Sequence, residues 1–227
     1  MTAALATAVV PVAHARAAAI CGTGTYAYAG IGSKEAVRGI SATITATAPA
    51  NVRDGHVAGW VGVSSADGET GWLQVGLSAF RGDLASRLYY EVTVPGQKTL
   101  YREVAVDVPF GQPHRFAVAE LPKRDWWQAS VDGVPVGTPV HLPGSDRRWR
   151  AQAVGESWAG ATSGACNDYG YAFASLSFLG ARATQWRSPA KIDLFQDPGY
   201  VLVRSSSASF VAASNASYSA LRSSVNP

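Results

Sequence analysis

The chain has 227 residues, 47% of them hydrophobic and 15% charged, with a formal net charge of +3. That length and apolar content support a buried core and suit one domain with tails, which excludes a disordered polypeptide. The basic excess is scattered, its densest spots being Lys123-Arg124 and Arg147-Arg148-Trp149-Arg150. This is too little clustered charge for a nucleic-acid footprint, so nucleic acid is not expected as a partner.

Residues 1–19, MTAALATAVVPVAHARAAA, have the composition of the end of a secretory signal, with Ala13-His14-Ala15 and Ala15-Arg16-Ala17 as small-x-small cleavage sites. The run is too short for a bilayer span and contains Pro11. No later segment is apolar enough for a transmembrane helix, so a secreted, extracellular protein is expected. The two cysteines, Cys21 and Cys166, both follow the expected cleavage point. An even pair in an exported chain predicts a disulfide. It would close a loop of about 145 residues and contribute about 4–5 kcal/mol on the loop-entropy account.

From residue 23 the pattern is one of short strands separated by turn residues. Residues 37–48 (VRGISATITATA) alternate apolar and small polar residues, the period of a half-buried strand. Residues 57–63 put Val57, Val61 and Val63 on one face and Ala58, Trp60 and Gly62 on the other, before an Asp67-Gly68 turn. In residues 71–77, Leu73, Val75 and Leu77 oppose Trp72, Gln74 and Gly76; in residues 88–94, Leu88, Tyr90, Val92 and Val94 oppose Tyr89, Glu91 and Thr93. Residues 99–108, 114–120, 126–131 and 134–140 continue the series, with Asp132-Gly133 as a hairpin turn between the last two. Residues 151–158 and 169–178 close it. No capped helical pattern occurs between residues 23 and 178. About ten strands with frequent turns predict an all-β, two-sheet antiparallel sandwich. The sandwich is expected over residues 20–182, followed by a wrapping segment or edge strand at 183–204 and a mobile Ser/Ala-rich tail at 205–227.

The usual catalytic signatures are missing: no G-x-S-x-G elbow, H-E-x-x-H or Walker loop occurs. His14, His56, His114 and His141 are scattered without metal-ligand spacing, and two cysteines cannot make a structural zinc site. Only Asn167-Asp168 hints at a calcium site. No metal and no cofactor are expected. The informative polar residues stand on strands otherwise built from aromatic and small residues. Gln74 lies between Trp72 and Gly76, Glu91 follows two tyrosines, and Glu156 belongs to Gly155-Glu156-Ser157-Trp158. Trp60, Trp72, Tyr89, Glu91 and Trp158 together predict a concave face on which rings stack against sugar or peptide while amide and carboxylate set orientation. Each residue taken singly fits an ordinary solvated sheet face as well. The residues point first to a monomeric module that binds an extracellular polymer, glycan or polypeptide; a structural envelope protein is a further alternative.

The stretch Gly59-Trp60-Val61-Gly62-Val63, then Leu73-Gln74-Val75-Gly76, then Tyr90-Glu91, resembles the glutamic peptidases (eqolisins). These are secreted concanavalin-like jelly rolls that cut proteins in acid with a Gln/Glu dyad. In that family a W-V-G-I strand precedes an L-Q-T-G strand whose Gln is catalytic, and a Y-E-W strand follows. The resemblance implies a catalytic Gln74 and sets Glu91 against the Glu of Y-E-W, with Val92 in place of its Trp. The family's catalytic Glu lies in an A-E-W-I-V-E strand. Laying residues 151–156 on that strand sets Gln152 at the acid, whereas one inserted residue sets Glu156 and Trp158 against E-W. The resemblance therefore implies, as an alternative function, an acid endopeptidase using Gln74 and Glu156, although the pI near 8.9 is not that of an obvious acid enzyme. The chain is also similar to secreted actinobacterial proteins of unassigned function, which implies a compartment and no chemistry.

Overall fold

A computed structural model describes residues 26–65, 71–159 and 167–225. The signal-like segment, the Cys21–Cys166 pair and the Asp67-Gly68 turn lie outside the described residues. Fourteen strands form two seven-stranded sheets. In chain order they are β1 Tyr26–Ser33, β2 Val37–Ala46, β3 His56–Ser64, β4 Trp72–Phe80, β5 Ser86–Thr93, β6 Leu100–Val108, β7 His114–Glu120, β8 Trp126–Val131, β9 Val134–His141, β10 Arg150–Trp158, β11 Gly170–Gly180, β12 Ile192–Gln196, β13 Tyr200–Arg204 and β14 Phe210–Ser214, followed by α1 Asn215–Val225. The first sheet runs β12-β1-β10-β3-β4-β5-β6 and the second β13-β14-β11-β2-β7-β8-β9. All the pairings are antiparallel. The expected two-sheet sandwich is what forms.

The core between the sheets follows from the alternation. On β3 and β4 the inward residues are Val57, Val61, Val63, Leu73, Val75 and Leu77, and all are buried. The second sheet answers with Ile40, Ile44, Phe116, Val118 and Phe173. Two inward positions are glycine for a packing reason. A Cβ on Gly59 would stand 2.5 Å from the Tyr171 ring, and one on Gly155 2.7 Å from the Tyr169 ring. Tyr171 of β11 and Tyr169 just before it thus lie against β3 and β10 where only bare backbone leaves them room. At the β8–β9 hairpin, Asp132 and Gly133 both have positive φ (51° and 81°), the geometry of a type I′ turn that matches strand twist.

The C-terminal region corrects one expectation. Within the expected tail at 205–227, residues 210–225 form a strand and a helix. Phe210–Ser214 is an interior strand of the second sheet, paired on one side with β11 and on the other with β13. Phe210 is buried and stacks on Phe173, ring centroids 4.3 Å apart and planes 6° apart. Ala212 and Ala213 are fully buried. The composition misleads because this strand lies where the two sheets approach closely. A Cβ at Gly155 would be only 2.8 Å from the Ala212 Cβ, so small residues are what the gap admits. The Ser214 hydroxyl then accepts from the Ser217 backbone N–H and caps α1. The segment before it supplies both far edges, β12 beside β1 and β13 beside β14.

Asn167 is fully buried, and its side chain is taken up by backbone groups. Its Oδ1 accepts from Arg53 N at 2.9 Å, while Nδ2 donates to Asp54 O at 2.8 Å and Trp158 O at 3.1 Å. This residue pins the loop before β3 to the end of β10 and so fixes one end of the outer face. Among the described residues no group of three His, Cys, Asp or Glu side chains is placed to hold a metal, and no helix is long and apolar enough to cross a membrane.

Candidate functional site

The outer face of the first sheet carries the site. Directly paired residues project to the same side of a sheet, so register turns separate strands into rows. One row is Gln152, Gly62, Gln74 and Glu91; the next is Val154, Trp60, Gly76 and Tyr89; a third is Glu156, Ala58, Ser78 and Arg87. Each row mixes large and small residues, and at Gly76 an added Cβ would stand 2.8 Å from the Trp60 Cβ. Ala58, Trp60, Tyr89 and Val154 form a second apolar cluster, with Tyr28, Tyr101 and Phe195 packed on it. The outer face thus has a dry floor of its own, and a cavity of about 350 Å³ opens above it.

Gln74, Glu156, Trp60, Trp72 and Glu91 all line this cavity. Gln74 is on the outer face, not in the core, and one of its amide N–H groups is donated to the Tyr89 hydroxyl at 3.0 Å. An amide nitrogen carries two N–H groups, so this bond orients the side chain and leaves a donor over. Glu156 is buried, with its Oε2 accepting from the Trp60 indole N–H at 2.8 Å and its Oε1 3.0 Å from His56 Nε2. Glu91 is half-buried and accepts from the Trp72 indole N–H at 3.0 Å. Each carboxyl group in the cleft is therefore held by a tryptophan. Tyr89 faces the same side as Gln74 but is 2% exposed. It acts on the amide from below and does not present itself to a ligand. Trp158 shares the face but stands outside the cavity, at the far end of β10, with its ring 6.2 Å from Tyr26 and 5.5 Å from His56.

The two ways of laying β10 on the glutamic-peptidase strand are decided by register. β10 pairs with β1 and β3 residue for residue from end to end, with no bulge, which removes the inserted residue. Insertion is also unnecessary. Gln152 and Glu156 are four apart on one strand and both face the cavity, so in the A-E-W-I-V-E pattern they fall on its two acidic positions. Gln152, directly across Gly62 from Gln74, therefore stands where the resemblance sets the acid and carries no carboxyl group; Glu156 stands at the second acidic position, two rows away.

Burial raises the pKa of the Glu91 carboxyl group, the negative charge of Glu156 adds to the rise, and the Trp72 hydrogen bond and His56 oppose it. The stability consequence has a definite sign. A raised carboxyl pKa means the folded state holds its proton more tightly, so Glu91 costs no stability below the ordinary carboxylate pKa. Stability is lost as pH rises from there through the folded-state value. Glu91→Gln is therefore expected to match the parent chain at low pH and to exceed it in urea midpoint at neutral pH. An equal or lower midpoint at pH 7 would show that Glu91 is net stabilising as a carboxylate. Burial likewise raises the pKa of Tyr26 and Tyr28, with Glu156 adding to both, which keeps these walls uncharged.

Sequence reasoning missed four residues of this face. His56 was set aside with the scattered histidines, and its contact with Glu156 spans 100 positions, so no local pattern reports it. Tyr26 and Tyr28 belong to β1, whose Tyr-Ala-Tyr-Ala alternation was legible but was not read as a strand. Phe195 arrives on β12, from the segment expected only to wrap or edge the domain.

No protein-family model matches this chain, and no curated protein matches it. The likeness lies with solved structures. A scytalido-glutamic peptidase bound to a peptide-based transition state analogue superposes with a TM-score of 0.59 at 15% identity, over 83% of this chain and 97% of that one. A second structure of scytalido-glutamic peptidase, with a transition state analogue inhibitor, gives 0.60 at 15% identity over the same shares. SCP-B, a member of the eqolisin family in complex with the tripeptide Ala-Ile-His, gives 0.56 at 13% identity over 83% and 97%. The chain therefore has the sandwich fold of the glutamic peptidases.

Proposed function

We propose that this protein is an extracellular endopeptidase that hydrolyses unfolded polypeptide in the outer-face cleft, with Glu156 as general base and then general acid and Gln74 as oxyanion donor. The observation that carries the reading is that the Gln74 amide and the Glu156 carboxylate wall one cavity, so that Glu156, and not the Gln152 position that the resemblance sets at the acid, would supply the carboxyl group. The steps balance as follows. Glu156 takes a proton from water as the water oxygen bonds to the scissile carbonyl carbon. The carbonyl oxygen becomes an oxyanion, toward which Gln74 donates its remaining N–H. The intermediate collapses by breaking the C–N bond, and the Glu156 proton passes to the departing amine. The products are a new carboxyl terminus and a new amino terminus. Support also comes from the shared fold, since the solved structures that superpose on this chain hold a peptide-based transition state analogue and a tripeptide.

The test is direct. The mature protein is incubated with an unfolded protein substrate between about pH 3 and pH 7, the range in which a carboxyl general base passes from protonated to ionised, and fragments are identified by mass spectrometry. Internal cleavage sites with free new termini are expected. If no fragment forms anywhere in that range, the cleft binds without cutting and the hydrolytic reading falls.

A further inference from the structure

We infer that the cavity takes a cationic side chain, Lys or Arg, of the polypeptide it holds. The inference rests on the preceding reading only in taking the ligand to be a polypeptide. Among the described residues lining the cavity are five aromatic side chains, two carboxyl groups and no Lys, Arg or His. Elsewhere on and around the same sheet several acids have basic partners. Arg87 bridges Asp83 at 2.7 Å and also Glu103, Lys34 reaches Asp193 at 3.4 Å, and Lys191 reaches Glu35. Among the described residues, the hydrogen-bond donor to Glu91 is the neutral Trp72 indole, and the positive charge that reaches it comes from His56, which is itself engaged with Glu156. Arg150, on the outer face of β10 beyond Gln152, is exposed and does not line the cavity.

A half-buried carboxylate without a counter-ion is costly, and the cost is removed when a ligand brings the opposite charge. The same burial disfavours the charged form and raises the Glu91 pKa. The aromatic walls suit the same guest. Tyr26 and Tyr28 stack at 5.9 Å with planes 7° apart, and with Trp60, Trp72 and Phe195 they present ring faces and edges around the carboxyl groups. An ammonium or guanidinium is attracted to such faces, and its alkyl stem packs on them. A neutral sugar would stack on the rings and leave Glu91 unpaired; an acidic side chain would be repelled.

The test uses blocked octapeptides of Ala and Leu in which a single Lys is moved through every position. Each is paired with a peptide carrying norleucine at the same place, which keeps most of the stem and removes the charge. Cleavage is followed by mass spectrometry and binding by the change in intrinsic tryptophan fluorescence. At one or more positions Lys is expected to exceed norleucine by about ten-fold in kcat/KM, the scale of a partly desolvated cation beside aromatic rings. Glu91→Gln should bring that ratio toward one. Equal cleavage of each pair overturns the cation site while leaving hydrolysis intact. If nothing is cleaved but Lys peptides bind more tightly than their norleucine partners, the cation site stands and hydrolysis falls. Absence of both cleavage and any Lys preference in binding overturns both.

Discussion

Glu156→Gln is expected to lower cleavage of an unfolded protein by about 100- to 10,000-fold, the contribution of a positioned general acid–base group. The substitution keeps shape and keeps an acceptor for the Trp60 indole, so the sheet around it is expected to stand, and the far-ultraviolet circular dichroism and urea midpoint should stay close to the parent's. What is lost is the ability to take a proton from water and return it to the amine. Gln74→Ala removes a different term, the donor to the oxyanion, and should cost roughly 100- to 1,000-fold in kcat with little change in KM. An equal rate in Glu156→Gln and parent would remove Glu156 from the chemistry. Because Gln152 carries no titratable proton, it cannot take over the role.

Phe210→Ala is expected to destabilise the protein by about 3–5 kcal/mol, the range for a large aromatic removed from a tightly packed core. For a domain of this size that is a fall in Tm of roughly 10 °C. Phe210 belongs to β14, an interior strand, and its ring lies flat on Phe173. Deleting the chain from residue 205 onward would do more. It would strip β14 from between β13 and β11 and uncover Phe173 and Tyr171, both buried in the intact sheet. Leu84→Ala is the control, since Leu84 is 92% exposed and loses no packing when shortened. A Phe210→Ala protein that melts with the parent would mean that this strand contributes little to the fold.

Site and fold were legible to different degrees, for reasons that individual residues show. The rows of the site could be half-read because each strand alternates. Trp72, Gln74 and Gly76 had to share a face once Leu73, Val75 and Leu77 shared the other. Whether Tyr89 and Glu91 joined that face was open, because it depends on which residue of β5 stands opposite Gln74. Register answers it: Glu91 pairs with Gln74 and Tyr89 with Gly76. The same holds for Glu156. Its position on β10 could be read, but its contacts with Trp60 and His56 join residues 96 and 100 positions apart.

The sequence by itself determined the strands from β2 to β11, which face of each is apolar, and hence an antiparallel sandwich. These properties follow from the two-residue period of a strand and from turn chemistry such as Asp132-Gly133, and both act over a few residues. Only the tertiary structure decided that Phe210–Ser214 is an interior strand, that Phe195 lines the cleft with His56 beside it on Glu156, and that, among the described residues, the donor to Glu91 is a neutral indole. These are matters of which distant strands become neighbours and how closely the sheets approach. A buried Ala-Ala pair is indistinguishable from a solvated one until the opposing surface, here Gly155 and the Tyr169 ring, is in place.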